Sequence, residues 1–288
     1  MERVVIVGTG LIGGSIGLAL RRAGFTGAIT GVDLSREERA QALAMGAIDQ
    51  EAASLEEAGD DLAVSDVIVL AVPVLAILDT MQRLAPVLQA HQLVTDVGST
   101  KLRIAELARE QFNRPGRARF LPGHPMAGKE SGGAALAEAA LLEGATWLFT
   151  PISETPSPLE LEWRGWVAKF GCRVLDLDAA RHDVVCAWVS HMPQMVSTAM
   201  AALLEDEFRH APDAAADFLA IGGRALREMT RLGASPYSMW RDVAMTNTEE
   251  ITATLFALEQ RLQHMRENLR TPELREEFRL GNQFRARR

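Results

Sequence analysis

The chain of 288 residues carries 48% hydrophobic and 24% charged side chains, the proportions of a folded globular protein with room for two domains of ordinary size. Its formal net charge of −8 argues against a broad nucleic-acid or anionic-membrane surface, so an anionic substrate would have to be held by locally placed arginines. Met1-Glu2-Arg3 runs into a strand without a leader-like segment, and no apolar run reaches the ~20 residues that span a bilayer, which predicts a cytoplasmic protein with neither a nucleic-acid nor a membrane partner.

In chain order, Val4-Val5-Ile6-Val7 is a short apolar β-branched run followed at once by Gly8-Thr9-Gly10-Leu11-Ile12-Gly13-Gly14 and a helical stretch over 15–22. In this strand-to-helix setting, Gly8, Thr9, Gly10, Leu11, Ile12 and Gly13 have the make-up of a turn that lets backbone approach a pyrophosphate. A second strand over 28–32 ends at Asp33, twenty residues after Gly13, where a carboxylate can accept hydrogen bonds from an adenosine ribose and repel a 2′-phosphate. NAD is therefore expected in preference to NADP. Arg36 follows closely enough to blunt that preference, or is simply solvated on the next helix.

Residues 66–72 read as a buried parallel strand ending at Pro73, 77–88 as a helix, and 93–97 as a strand that empties into Gly98-Ser99-Thr100-Lys101. The alternation predicts an α/β class, an N-terminal Rossmann-type doubly wound parallel sheet whose ligands sit beyond the carboxyl ends of its strands. Val72 and Pro73 at one such end are expected to touch the cofactor. Ser99 at another is a site residue, the N-cap of a helix over 102–111, or both. A strand over 119–121 then leads into Gly123-His124-Pro125-Met126-Ala127-Gly128-Lys129-Glu130-Ser131-Gly132-Gly133, read as a glycine-rich loop that presents His124 instead of burying it; a plain surface turn is the alternative.

Residues 147–150 are expected to be the last strand of the first domain, and three prolines within 151–158 to mark a linker. The expected division is thus 1–152 for the dinucleotide and 153–288 for an all-helical substrate and dimerisation domain. Helices are read over 159–170, 179–208 with a break in register at Pro193, 217–230, 237–269 and 272–284, with a short strand over 172–177. Long amphipathic helices in so small a domain leave apolar faces for a partner, which predicts a homodimer. Cys172 and Cys186 lack the spacing of a zinc site, so reduced buried thiols and no metal are expected. His191 and Arg231 stand out among the helices, although a structural histidine and a solvated arginine are the ordinary readings of each.

In order and along nearly the whole chain, five segments resemble the prephenate/arogenate dehydrogenase family of tyrosine biosynthesis. They are Gly8-Thr9-Gly10-Leu11-Ile12-Gly13-Gly14-Ser15, Asp96-Val97-Gly98-Ser99-Thr100-Lys101, Gly123-His124-Pro125-Met126-Ala127-Gly128, Ser190-His191-Met192-Pro193, and Thr230-Arg231 with Met239-Trp240-Arg241-Asp242. The first is common to many NAD enzymes; the third and fourth are far more specific. The resemblance implies hydride transfer from C4 of a cyclohexadienol to NAD with loss of the ring carboxylate as carbon dioxide, prephenate giving 4-hydroxyphenylpyruvate or arogenate giving tyrosine.

Removing hydride from a carbinol carbon leaves positive charge on it unless the hydroxyl proton moves to a base, and a neutral His124 at the carboxyl edge of the sheet is the expected base. Ser99 on the neighbouring strand end can bond the same hydroxyl or orient the imidazole. By similarity, Arg231 would hold the ring carboxylate, His191 would lie near the side-chain end of the substrate, and Glu130 would join a polar network at the pocket mouth. Neither metal nor covalent nucleophile is required. Gln194 stands where many relatives carry a second histidine, which leaves prephenate against arogenate open with a lean to prephenate. No appended mutase or regulatory domain is expected, so tyrosine feedback would act at the active site. Two other classes are weighed. A dehydrogenase of the β-hydroxyacid type would need a catalytic lysine from the helical half, and no lysine follows Phe170. A non-catalytic NAD-sensing module would keep the glycine turn but would not need Ser99, His124 and Arg231 together.

Overall fold

Six parallel strands organise the first half of the molecule in a computed structural model that describes residues 1–129, 131–210 and 212–287. They are β1 (Arg3–Val7), β2 (Ala28–Val32), β3 (Gln50–Ala52), β4 (Val67–Leu70), β5 (Leu93–Asp96) and β6 (Arg119–Leu121), in the order β3-β2-β1-β4-β5-β6. Strand side chains alternate between faces, so Val4 and Ile6 enter one apolar cluster while Val5 and Val7 enter the other. Each face needs cover, and α1 (Leu11–Arg22), α2 (Arg36–Ala44), α3 (Gly59–Val64), α4 (Val74–Leu84) and α5 (Leu102–Gln111) supply it. The strand order reverses at β1, which lies between β2 and β4, so the crevice for a ligand opens beyond the ends of β1 and β4.

A second sheet changes the expected organisation. It comprises β7 (Gly123–Pro125), β8 (Thr146–Phe149) and β9 (Arg173–Asp176), with β7 antiparallel and β9 parallel to β8. His124 therefore lies on a strand opposite Leu148, buried, and not in a presenting loop; the glycine-rich segment begins only after Pro125. The cause is a close crossing: the Gly123 N–H donates to the Asp96 carboxylate at 3.1 Å, and a Cβ on Gly123 would stand 2.8 Å from the Asp96 carbonyl oxygen. Helix α6 (Pro158–Lys169), started by a Ser157–Glu160 capping box, brings the chain back so that β9 can pair with β8. Trp163, Val167 and Phe170 are fully buried with Trp147 and Phe149 in the same cluster as Val4 and Ile6. The proline-rich segment at 151–158 thus joins two parts of one core, because α6 can bury its aromatic face only there.

Helices α7 (Ala179–Cys186), α8 (Met192–His210), α9 (Pro212–Ile221), α10 (Arg224–Thr230), α11 (Tyr237–Thr246), α12 (Thr248–Glu267) and α13 (Glu273–Ala286) form the rest, with a 3₁₀ turn at Arg231–Ala234. The expected break at Pro193 takes the form of a π-turn, Ala187–His191, just ahead of it. Proline has no N–H for the carbonyl one turn back, and the widened turn absorbs the mismatch. The stretches expected as single helices over 217–230 and 237–269 are interrupted at Gly222-Gly223 and at Asn247. Among the described residues no helix is long and apolar enough to cross a membrane.

Candidate active site

The glycine turn has the shape that a dinucleotide needs. Gly8 ends β1 with a φ of +94°, and a Cβ there would collide with the Ala71 carbonyl. A Cβ on Gly13 would in turn collide with the Gly8 carbonyl oxygen, so α1 packs on the strand only with glycine at both positions. At Gly10 the space is open, Glu38 Oε2 at 4.0 Å being the nearest neighbour of a would-be Cβ. Helix α1 starts at that point without a capping side chain, so its first N–H groups and the positive end of its dipole are left to an anion. These features fit a pyrophosphate.

Asp33 is tied into the same turn. Its Oδ2 accepts the Thr9 N–H at 2.9 Å and its Oδ1 accepts the Ser35 N–H at 2.9 Å, which orients the carboxylate and leaves lone pairs for ribose hydroxyls. The arginine bonded to Asp33 is Arg39, whose Nη1 donates to the Asp33 carbonyl oxygen at 2.6 Å while its Nε lies 3.5 Å from Glu51. Arg36 is exposed.

Beyond the strand ends lies a cleft of about 370 Å³. Leu11 and Ile12 from the glycine turn, Val72 and Pro73 after β4, Ser99 after β5, and His124 on β7 all line it, and Pro236, Met239 and Val243 cover it from the helical half. Residues separated by more than a hundred positions are thereby brought together at one carboxyl edge.

His124 is the terminus of a buried hydrogen-bonded chain. Its Nδ1 lies 2.9 Å from His182 Nε2, and His182 Nδ1 lies 2.8 Å from Asp183 Oδ1. The Asp183 carboxylate also accepts the N–H groups of Lys101 at 2.7 Å and Leu102 at 2.9 Å, so Asp183, and not Ser99, caps α5. Beneath, the fully buried Lys101 ammonium is bonded to the Asp96 carboxylate, which accepts the N–H groups of Gly98 at 2.8 Å and Gly123 at 3.1 Å as well. Burial first, then the neighbouring His182, Lys101 and His191, pushes His124 well below the ordinary imidazole range. It is therefore neutral at neutral pH, with Nδ1 directed into the protein and Nε2 left to the cleft it lines. Burial lowers His182 too, against the opposing hydrogen bond that it makes to Asp183.

Cys186 and Cys172 are free and buried, and burial pushes their thiols up to about 12 and about 11, so both are protonated. Cys186 is not isolated in space: its Sγ is 3.5 Å from His182 Nε2, and the donor atoms of His124, His182 and Cys186 all lie within 4.8 Å of one another.

His191, on the π-turn, is 1% exposed and is not among the residues that line the cleft. Its Nδ1 is 3.2 Å from the Asn247 amide, its ring meets Trp240 edge-on at 5.9 Å, and neither its Nε2 nor Trp240 Nε1 has a partner. Burial pushes it down to about 4, so it is an uncharged group. Arg231 is exposed at the start of the 3₁₀ turn and is not brought into the lining of the cleft; the same turn leads into Pro236, which is. Gln194 anchors that turn, donating to the Leu232 carbonyl at 2.6 Å and accepting from Ser235 Oγ at 3.2 Å. Glu130 lies outside the described residues. His182, Asp183 and Asn247 were not expected at the site. Only the adjacent pair His182-Asp183 early in a helix hinted at polar work there, and nothing local tied it to His124.

Two family descriptions match this chain: "Prephenate dehydrogenase, nucleotide-binding domain" over residues 16–174 and "Prephenate dehydrogenase, dimerization domain" over residues 178–281. Prephenate dehydrogenase of Bacillus subtilis is 31% identical over 251 residues, covering 87% of this chain and 65% of that protein, so the chain spans less than two thirds of the relative's length. Among solved structures, prephenate dehydrogenase from A. aeolicus in complex with hydroxyphenyl propionate and NAD+ is similar with a TM-score of 0.87 and 29% identity over 100% of this chain and 98% of that one. Synechocystis arogenate dehydrogenase is similar with a TM-score of 0.77 and 28% identity over 99% of each chain.

Proposed function

This chain belongs to the prephenate dehydrogenase family, and from that membership and the geometry of the cleft we propose that it converts prephenate to 4-hydroxyphenylpyruvate and carbon dioxide with NAD as hydride acceptor, in tyrosine biosynthesis. The observation that carries this proposal is His124, a neutral imidazole whose one uncommitted nitrogen is left to a cleft shared by the glycine turn and the helical half.

Gly8, Thr9, Gly10, Leu11, Ile12 and Gly13 would hold the pyrophosphate, Asp33 the adenosine ribose, and Val72 and Pro73 the wall beside the nicotinamide. When bound, NAD supplies the hydride acceptor. His124 Nε2 takes the proton of the substrate hydroxyl as the carbinol carbon gives up its hydride, so that positive charge does not build on carbon. Ser99 donates to or accepts from that hydroxyl and fixes its direction. Carbon dioxide leaves as the ring becomes aromatic; the chain's contribution is orientation and exclusion of water. We assign the ring carboxylate to Arg231, the side-chain end to His191 with its unpartnered Nε2, and a place at the pocket mouth to Glu130. Prephenate is favoured by the similarity to prephenate dehydrogenases; arogenate, which carries an amine where prephenate has a keto group, is the alternative.

The nucleotide unit extends through β9, past the expected break at residue 152, since α6 and β9 share its core. The helical unit, which matches a dimerization domain, is taken as a homodimer: Phe218, Ile221, Met229, Phe256, Leu262 and Phe278 are exposed and need cover. Sedimentation should show twice the 31.4 kDa chain at micromolar concentration, and a monomer there would contradict the interface.

Supplying the protein with prephenate and NAD should form NADH and 4-hydroxyphenylpyruvate in equal amounts, with NADP poorer because Asp33 repels a 2′-phosphate. Absence of turnover with both prephenate and arogenate would overturn the proposal.

A further inference from the structure

We propose that His182 and Asp183 are positioning residues for His124: together they dictate that its proton sits on Nδ1, leaving the lone pair on Nε2 aimed at the substrate. The inference deepens the assignment of His124 as base and rests on it for function, though not for its structural test.

Each tautomer follows from its neighbour. Both oxygens of Asp183 accept backbone N–H groups at the start of α5, where the helix dipole favours an anion, so Asp183 presents only acceptors. His182 Nδ1, 2.8 Å from Oδ1, must then carry a proton. Burial keeps His182 neutral, so its Nε2 has only a lone pair to offer. His124 Nδ1, 2.9 Å from that lone pair, must in turn be N–H. The opposite order would set the bare His182 Nδ1 against a carboxylate oxygen at 2.8 Å, two acceptors in contact. A free histidine favours the proton on Nε2, which would leave the base without a lone pair for the substrate; the relay reverses that preference.

The same chain stabilises the charge that His124 acquires when the substrate proton arrives on Nε2. The anion of Asp183 stands at its far end. The other groups facing the imidazole are Lys101, already paired with Asp96, and the neutral His191 and Cys186, so Asp183 is the unneutralised anion of the cluster. The cluster's donor atoms could instead grip a soft divalent cation, since Cys186 Sγ completes the set within 4.8 Å. A metal would take the lone pair of His182 and displace the Nδ1 proton of His124, so the relay requires the resting protein to hold none.

Nitrogen-15 NMR of the histidine-labelled protein, without prephenate, reads the tautomer directly. His124 should show a protonated Nδ1 and a bare Nε2, and this result stands or falls whatever the substrate proves to be. In kinetics, His182→Leu should lower kcat by roughly 10²–10³-fold, somewhat less than the ~10⁴ seen when a triad carboxylate is replaced and the tautomer reversed in a serine protease, with KM and NAD affinity within about twofold. His182→Gln can accept from His124 Nδ1 and donate to Asp183, so it should recover at least ~10-fold of that loss. A protonated Nε2 on His124 in the wild type, equal losses in the Leu and Gln variants, or a stoichiometric metal in the purified protein would each overturn the proposal.

Discussion

His124→Asn should lower kcat by roughly 10²–10⁴-fold with NAD affinity nearly unchanged, the range for losing a positioned general base. Asparagine can take the place of histidine on β7, opposite Leu148, without disturbing the glycine turn, which belongs to the other sheet. It cannot accept and hold the proton. The pH profile provides a second reading of the same residue. As the proposed base the imidazole would act in its neutral form, and burial, followed by the neighbouring His182, Lys101 and His191, displaces its protonation well below 6.5. The acid limb of kcat/KM in the wild type should therefore lie below pH 6.5, with activity lost as pH falls through it, and the limb due to His124 should be missing from the residual activity of the variant. A variant that kept a third of the activity would exclude His124 as the base.

Arg231→Gln should raise KM for prephenate far more than it lowers kcat, with a total loss of roughly 2–5 kcal/mol, the range for removing one partner of a charge pair that binding of the substrate desolvates. On the proposed function, a chain with a net charge of −8 would have to capture a doubly anionic substrate against its overall field. Several cations around the cleft have ion-pair partners of their own or carry no charge. Lys101 is spent on Asp96, Arg241 lies 2.8 Å from the Asp242 carboxylate, and His191 is uncharged. Lys129 alone among the described lining residues brings a positive charge, and it is 2.6 Å from Glu138. A planar guanidinium gives two parallel hydrogen bonds to a carboxylate, so Arg231→Lys should recover only part of the loss. The carboxylate we assign to it is also the departing group, and tight ground-state binding would serve capture more than departure. Because Arg231 is exposed in the single chain, an unaltered KM would return it to the ordinary surface and make Lys129 the next anchor to test.

What could be read beforehand was set by near neighbours along the chain. Gly8 and Gly13 announce their turn because the strand before and the helix after are a few residues away, and Asp33 follows at the spacing that the strand and helix lengths impose. The position of His124 was legible, but its burial on β7 was not, because that strand exists only through pairing with β8, and β8 pairs in turn with β9 beyond the proline-rich segment. The same long-range pairing hid the extent of the first core: α6 reads as the opening of the helical half until Trp163 and Phe170 are seen against Trp147. Asp183 caps α5 from 81 residues away, and no local pattern distinguishes such a cap from a solvated helical carboxylate, whereas Ser99 offers a hydroxyl just ahead of the helix. The π-turn before Pro193 shifts the helical register, so regular 3.6-residue spacing does not place the face that His191 occupies.

The most direct measurement follows the atom that is meant to move. Prephenate carrying deuterium at C4 should be turned over by the wild-type protein with NAD, the deuterium recovered on the nicotinamide ring of the reduced cofactor, and one carbon dioxide released for each label transferred. Reduced cofactor formed without the label, or decarboxylation that proceeds without reducing NAD, would contradict oxidation at the carbinol carbon and with it the role given to His124.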